Sequence, residues 1–278
     1  MTSPAALLAG ATGTLGSAAE ARTLLAHAAG VEPSGLAVLS DVPDDVAAAF
    51  GALVERRAGG VPVQYLTGRA WFRTVSVAVG PGVFIPRPET EVMTGWAIDR
   101  LRSLESPVIV ELCAGSGAIS AAIAAELPGG RQYAVELSAE ACRAARANLA
   151  GTGVQLVEGD MADSFPELDG HVDLVIANPP YIPLDAWEYV AADVREHEPD
   201  LALFSGPDGL DALRVVARVA SRLLRPGGWV CAEHAEVQSD AVVEVFVGTG
   251  AFASVADRRD LNDRPRYVTA TRAGKLAG

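Results

Sequence analysis

The residues Asn178-Pro179-Pro180-Tyr181 follow an apolar run, Leu174-Val175-Ile176-Ala177. Two consecutive prolines remove two backbone donors and fix two φ angles. The residue before a proline is pushed toward extended geometry. The four residues therefore predict a stiff, open loop whose carbonyls are free to accept hydrogen bonds. Prolines also end strands without any further role, so what precedes the loop decides its meaning. Upstream, Glu111-Leu112-Cys113-Ala114-Gly115-Ser116-Gly117 joins an apolar run to an alanine-rich one. Glycines at such a turn let a ligand approach the backbone closely, and the N-terminus of a following helix offers free N–H groups. The G-x-G-x-x-G pattern counted from Gly115 puts Ser120 where the third glycine belongs, and no P-loop lysine is present.

Two acids lie at comparable places. Glu136 stands about 20 residues past the glycine turn, where a carboxylate can accept hydrogen bonds from both hydroxyls of a ribose. Its plainer reading is an acid at the start of the next helix. Asp160 ends a further strand. An acid there suits an adenine amino group, and Met161 suits the ring face; the plainer readings are a helix cap and a core residue. His197 and His234 have no partners at metal-ligand spacing and read as surface or cleft-lining residues. Cys113 has no histidine placed to activate it and reads as a small space-filler. No metal is expected.

These residues need elements to hold them. From Pro107 the chain alternates strand-like and helix-like stretches: "PVIVEL", "AISAAIAAEL", "RQYAVEL", "SAEACRAARANLA", "VQLVEGD", "VDLVIANPPY", "GLDALRVVARVASRLLRPGG", "WVCAEHA", "DAVVEVFVG", "FASVAD" and "RYVTATR". The long helix there is expected to stop at its glycines. Alternation of this kind predicts a mostly parallel, doubly wound α/β sheet, with the last strand antiparallel. Residues 1–19 read as a flexible tail without the basic start of a signal peptide. Residues 20–68 read as a small helical domain, and residues 69–86 as a β-hairpin linker turning at Gly80-Pro81-Gly82. Residues 87–278 form the α/β domain.

Composition narrows the partners. With 278 residues, 50% hydrophobic, the chain can bury a substantial core. Its apolar runs are broken before they could cross a bilayer, so no membrane association is expected. Three cysteines, far apart, suggest neither a disulfide framework nor a zinc site and fit a reducing cytoplasm. A formal net charge of -13 opposes stable nucleic-acid binding and favours a basic protein partner. A monomer is expected.

Glycine turn, acid and acid at the ends of three successive strands resemble the layout of class I S-adenosylmethionine-dependent methyltransferases. The loop at Asn178 resembles the [DNS]-P-P-[YFW] motif of enzymes that methylate planar amino or amide nitrogens. Such a nitrogen is a poor nucleophile. Asn178 Oδ1 and the Pro179 carbonyl can accept its two N–H bonds and favour the charge it develops. Tyr181 can stack on the flat group, and the prolines fix the alignment in advance. The stretches "RRAGGVPVQYLTG", "FIPRPETE", "ELCAGSGAIS", "NPPYIP", "EHEPDLALFSGPDGL" and "DLNDRPRYVTATR" resemble the HemK/PrmC family, the glutamine N5-methyltransferases of peptide-chain release factors. The resemblance runs from about Glu20 to Arg272 and rests on the combination of motifs. It implies a helical domain that helps dock a class I release factor and a Rossmann-like catalytic domain. The glutamine of the partner's Gly-Gly-Gln loop would enter at Asn178, Pro179, Pro180 and Tyr181, with Arg87 and Glu89 also on the substrate. S-adenosylmethionine, leaving as S-adenosylhomocysteine, would contact Glu111, Cys113, Ala114, Gly115, Ser116, Gly117, Glu136, Asp160, Met161 and Asn178.

The chain departs from the family pattern at several of these positions. Cys113-Ala114 stands for Gly-Thr, Glu136 for Asp, Met161 for an aromatic, and Ser205 and Ala235 for glycines. The loop at Asn178 is intact, so an active enzyme is expected. Two rivals are an adenine-N6 methyltransferase of nucleic acid, which must extrude its base, and a glutamine methyltransferase of a ribosomal protein. The net charge and the lack of a basic, aromatic recognition domain oppose the first.

Overall fold

The computed structural model describes residues 2–274. Residue 1 and residues 275–278, the outer ends of the expected tail and α/β domain, lie outside the described residues. The chain forms two compact units, Met1–Arg69 with Ala191–His197, and Ala70–Val190 with Glu198–Gly278.

The first unit is helical. Helices α1 (Pro4–Leu15), α2 (Ala18–Ala28), α3 (Asp44–Ala58) and α4 (Val63–Thr67) enclose Leu24, Leu25, Leu36, Val42, Phe50 and Leu66. The expected tail is therefore a correction: most of residues 1–19 is helix. Pro4 opens α1, Gly16 in the left-handed region closes it, and Ala11 is buried. Its small residues give a weak periodic signal, and packing against neighbours supplies what propensity does not. Arg57 joins α3 to α2 through both oxygens of Glu20, at 2.9 and 3.0 Å.

In the second unit, β1 (Arg69–Phe72) and β2 (Val75–Ala78) form a two-stranded sheet. Its turn is at Arg73-Thr74, with Arg73 at φ 51°, and not at Gly80-Pro81-Gly82 as expected. The hairpin belongs to this unit from Ala70 onward. Arg73 donates to both oxygens of Glu126 at 2.8 and 2.7 Å. Asn148 exchanges hydrogen bonds with Ala78 at 2.7 and 3.0 Å and donates to the Ser116 carbonyl at 2.8 Å. These clamps bring the hairpin against the α/β layer and carry Phe72 inward.

Helix α5 (Pro88–Leu101) precedes the sheet. It has proline at its start, Glu89 and Glu91 in its first turn, and buries Thr90, Met93, Thr94, Ala97, Ile98 and Leu101. Then follow β3 (Val108–Leu112), α6 (Ala118–Glu126), β4 (Arg131–Glu136), α7 (Ala139–Asn148), β5 (Gln155–Glu158) and β6 (Val172–Ala177). A short α8 (Ala192–His197) belongs to the helical unit, after which come α9 (Asp211–Leu223), β7 (Leu224–Glu233), α10 (Ser239–Gly248), β8 (Phe252–Arg259) and β9 (Pro265–Arg272). The seven strands run in the order β5-β4-β3-β6-β7-β9-β8. All pairings are parallel except those of β9, which is antiparallel to both neighbours. β3 and β6 are buried along their whole length, as strands covered on both faces must be.

The chain leaves β3 for β4 on one side and returns with β6 on the other. That reversal opens the crevice in which doubly wound sheets hold ligands, at the carboxyl ends of the strands. One boundary differs from expectation. α9 ends at Leu223 and β7 starts at once, so Arg225 to Gly228 lie in a strand with a register shift opposite Val172 and Leu174. A Cβ on Gly228 would meet the Val172 carbonyl at 2.9 Å, so glycine here serves close strand packing and not a helix stop.

Candidate active site

A cavity of about 360 Å³ opens at the β3–β6 switch point. Its floor is the turn after β3. Cys113 sits at φ 58°, Gly115 at 56° and Gly117 at 77°, three left-handed residues in five. A Cβ on Gly115 would meet nothing within 4 Å, so the backbone faces open space there. On Gly117 it would lie 3.1 Å from Leu149, so the third position also needs closeness. Beneath the turn, Glu111 Oε2 accepts from Ser120 N at 3.0 Å and from Ser120 Oγ. The residue that breaks the dinucleotide fingerprint thus ties the first turn of α6 to β3. Burial of Glu111 holds its carboxyl well above the usual range, at about 8, although both Ser120 bonds pull it down.

Glu136 stands at the end of β4 with both oxygens engaged. Oε2 accepts from Gly115 N and Oε1 from Ser138 N, each at 2.7 Å. It therefore braces the glycine turn and the start of α7, and each oxygen keeps a second lone pair. Asp160 Oδ1 accepts from Ala162 N at 2.8 Å, so it caps a short turn as well as lining the cavity. Met161 faces Cys113, with Sδ 3.5 Å from Sγ. Burial, then the charges of Glu136, Glu111 and Asp160, push the Cys113 thiol upward, which removes thiolate chemistry from it. Among the described residues no group of three or more His, Cys, Asp or Glu is arranged to hold a metal ion.

The loop after β6 closes the other side. Asn178, Pro180 and Tyr181 line the cavity, and Pro179 is buried behind them. Asn178 Nδ2 donates to Thr90 Oγ1 at 3.2 Å. Thr90 Oγ1 donates to Glu233 Oε2 at 2.6 Å, and Tyr181 Oη donates to Glu233 Oε1 at 3.1 Å. The Tyr181 carbonyl accepts from Gln238 Nε2 at 2.9 Å, so this tyrosine is pinned at both ends. Among the described residues no hydrogen bond engages Asn178 Oδ1 or the Pro179 carbonyl. Burial of Glu233 raises its carboxyl to about 7, against the lowering effect of Thr90, Tyr181 and Arg266.

The structure separates some expected site residues from the cavity. Arg87 and Glu89 do not line it; Phe84, Pro86 and Thr90 do. Arg87 instead pairs with Glu198 and lies 4.7 Å over the Phe84 ring. Glu198, one of several acids between Asp193 and Asp200, is buried and also accepts from Ile85 N at 3.1 Å. It fixes the segment that carries Phe84 and Pro86. His234 is fully buried, not on a surface or cleft: its Nε2 lies 3.0 Å from Asp257 Oδ1. Thr90 and Glu233 escape sequence reasoning. Thr90 lies inside the quoted "RPETE", but its partner is 143 residues away.

Residues 6–68 match the PrmC N-terminal domain, and residues 109–198 match a methyltransferase domain. The chain is 50% identical to a release factor glutamine methyltransferase of Streptomyces coelicolor, over 91% of this chain and 90% of that protein. The chain belongs to the release factor glutamine methyltransferase family. Another relative, 42% identical over 88% of this chain and 85% of its own length, is a 4-amino-L-phenylalanine/4-methylamino-L-phenylalanine methyltransferase of Streptomyces pristinaespiralis. A methyltransferase from Pyrococcus furiosus has the same fold, at TM-score 0.52 and 16% identity, covering 79% of this chain and all of that one. Membership in this family makes the chain an S-adenosylmethionine-dependent methyltransferase. Its cavity fits that cofactor in the features the chemistry needs: an open left-handed glycine turn, a braced carboxylate and a largely apolar wall.

Proposed function

We propose that this enzyme methylates the side-chain amide nitrogen, N5, of the glutamine in the Gly-Gly-Gln loop of class I release factors. The observation that carries the reading is the state of the loop after β6. Asn178 Oδ1 is a free acceptor at the cavity, on a stiff segment whose Pro179 carbonyl also accepts no hydrogen bond among the described residues, while Asn178 Nδ2 donates to Thr90. Bound S-adenosylmethionine supplies an electrophilic methyl group. Asn178 Oδ1 and the Pro179 carbonyl would accept the two N–H bonds of the substrate amide, turn its lone pair toward that methyl group, and stabilise the positive charge that nitrogen carries until it releases one proton to solvent. Tyr181, held by Glu233 and Gln238, offers a fixed face to the flat amide. Glu136 would take the ribose hydroxyls on its remaining lone pairs and Asp160 the adenine amino group, and Met161 would pack on the ring beside Cys113. The turn from Ala114 to Gly117 admits the cofactor, with Glu111 bracing it from below.

The helical unit provides a surface that a bulky protein partner can use and a small amide does not need, and the names of the relatives support a release factor. Among the described residues no helix is long and apolar enough to cross a membrane; with three free cysteines, we infer a cytoplasmic setting.

The test is labelling. The enzyme is incubated with methyl-labelled cofactor and, separately, a release factor, its loop Gln→Ala variant, a ribosomal protein fraction and duplex DNA. Label only in the intact release factor is expected. Equal label in the loop variant, or label only in DNA or ribosomal protein, overturns the reading.

A further inference from the structure

We propose that Glu233, acting through Thr90, determines which end of the Asn178 amide faces the substrate. An asparagine amide presents two ends of nearly the same shape, one a donor and one an acceptor. Only the acceptor end can receive the N–H bonds of an incoming amide nitrogen. Something must keep that end turned outward, and the two prolines cannot do it, because they fix backbone and not χ2.

The chain of hydrogen bonds behind the loop supplies the asymmetry. Thr90 has one hydroxyl proton. It is committed to Glu233 Oε2 at 2.6 Å, in the range of bonds to a charged acceptor. Thr90 Oγ1 therefore offers Asn178 only lone pairs, and takes Nδ2 at 3.2 Å. The other carboxylate oxygen is occupied by the Tyr181 hydroxyl at 3.1 Å. Thr90 is 3% exposed and Glu233 1%, so water does not compete for these atoms. The polarity of the whole relay is fixed at Glu233. With Glu233 ionised, donors point toward it from both sides and the Asn178 oxygen faces the cavity. With a proton on Oε2, Glu233 becomes the donor to Thr90. The threonine proton is then released toward Asn178, which satisfies it by turning its oxygen inward and its NH₂ toward the substrate.

Three elements face Glu233: helix α5 brings Thr90 and the carboxylate of Glu89, the loop after β6 brings Tyr181, and β9 brings the Arg266 cation; the next residue along the chain, His234, lies 3.0 Å from Asp257. Arg266 favours the ionised form of Glu233, while burial and Glu89 oppose it. The carboxyl titrates at about 7 under these influences, so the relay changes polarity near neutral pH. Glu233 and Thr90 are positioning residues; neither needs to touch the reacting atoms.

The proposal rests on Asn178 as acceptor for the substrate nitrogen, and its first test needs no substrate. In wild type, the side-chain amide protons of Asn178, followed by NMR, should shift with pH through neutrality. Thr90→Val and Glu233→Gln should abolish that response, and Thr90→Ser should retain it. A response that survives in Thr90→Val, or an Asn178 amide indifferent to pH in wild type, overturns the proposal whatever the methyl acceptor is. Kinetics with a release factor give the second readout. Thr90→Val should lower kcat about three- to ten-fold, the loss of one neutral hydrogen bond, with KM and cofactor Kd unchanged. The fall of kcat on the acid side, present in wild type, should vanish in Glu233→Gln. Equal impairment of Thr90→Val and Thr90→Ser would also overturn the proposal, since the hydroxyl would then not be what matters. Failure of wild type to methylate the release factor would instead count against the substrate reading, and the NMR titration would still decide the relay.

Discussion

Glu136 has one observed duty and one proposed, and separating them tests how the cofactor is held. Its oxygens each accept a backbone N–H at 2.7 Å, one from the glycine turn and one from the start of α7. The same oxygens are proposed to receive the ribose hydroxyls. Glu136→Gln keeps the shape and removes the charge. Whichever way the new amide turns, its NH₂ meets a backbone N–H, from Gly115 or Ser138, and one ribose acceptor is lost. A hydrogen bond to a charged group contributes about 1.5–3 kcal/mol. At about 1.4 kcal/mol per factor of ten, cofactor Kd should rise about 10- to 150-fold. Glu136→Asp keeps the charge on a side chain one methylene shorter and should lose less than glutamine does. Titration calorimetry with S-adenosylhomocysteine gives the affinities, and thermal melting shows that each variant is folded. A folded Glu136→Gln protein with unchanged affinity would remove Glu136 from the cofactor site and refute the reasoning.

Asn178→Ala should keep cofactor affinity and lower kcat about 10²- to 10³-fold, because its contact strengthens as charge develops; a near-normal single-turnover rate would contradict its role. Glu111 is raised to about 8 by burial, so the folded state holds its proton more tightly than the unfolded chain. Its contribution to stability is present below the ordinary carboxylate range and is lost as pH rises from about 4.5 to 8, so Glu111→Gln should flatten the decline in melting temperature across that window. Gly117→Ala places a Cβ 3.1 Å from Leu149 at φ 77°. Backbone strain and overpacking together should destabilise the protein by about 2–5 kcal/mol, read by denaturant unfolding.

The sheet is legible in the sequence because its signals are local. Val108–Leu112 and Val172–Ala177 are apolar runs of strand length, and Gly115 and Asn178 mark their ends. α5 carries local helix signals, Pro88 and the acids of its first turn, but it precedes the strand–helix alternation that starts at Pro107. α1 was hidden by its small residues, whose burial depends on α2 and α3. The relay behind Asn178 lies beyond any local pattern. Thr90 and Glu233 meet only after the sheet has formed, and nothing in "RPETE" or "WVCAEHA" marks either as a partner of the other. Glu198 shows the opposite hazard. Among acids it reads as solvated, yet it is buried against Ile85 and Arg87.

Which planar nitrogen the loop at Asn178 serves can be measured in a single competition. A release factor and free 4-amino-L-phenylalanine are offered together to the enzyme with limiting cofactor, and the products are located by peptide mass spectrometry and chromatography. Methyl found on the Gly-Gly-Gln glutamine, with the free amine unmodified, is the predicted result. Methyl found on the free amine, with the loop glutamine unmodified, would contradict the account.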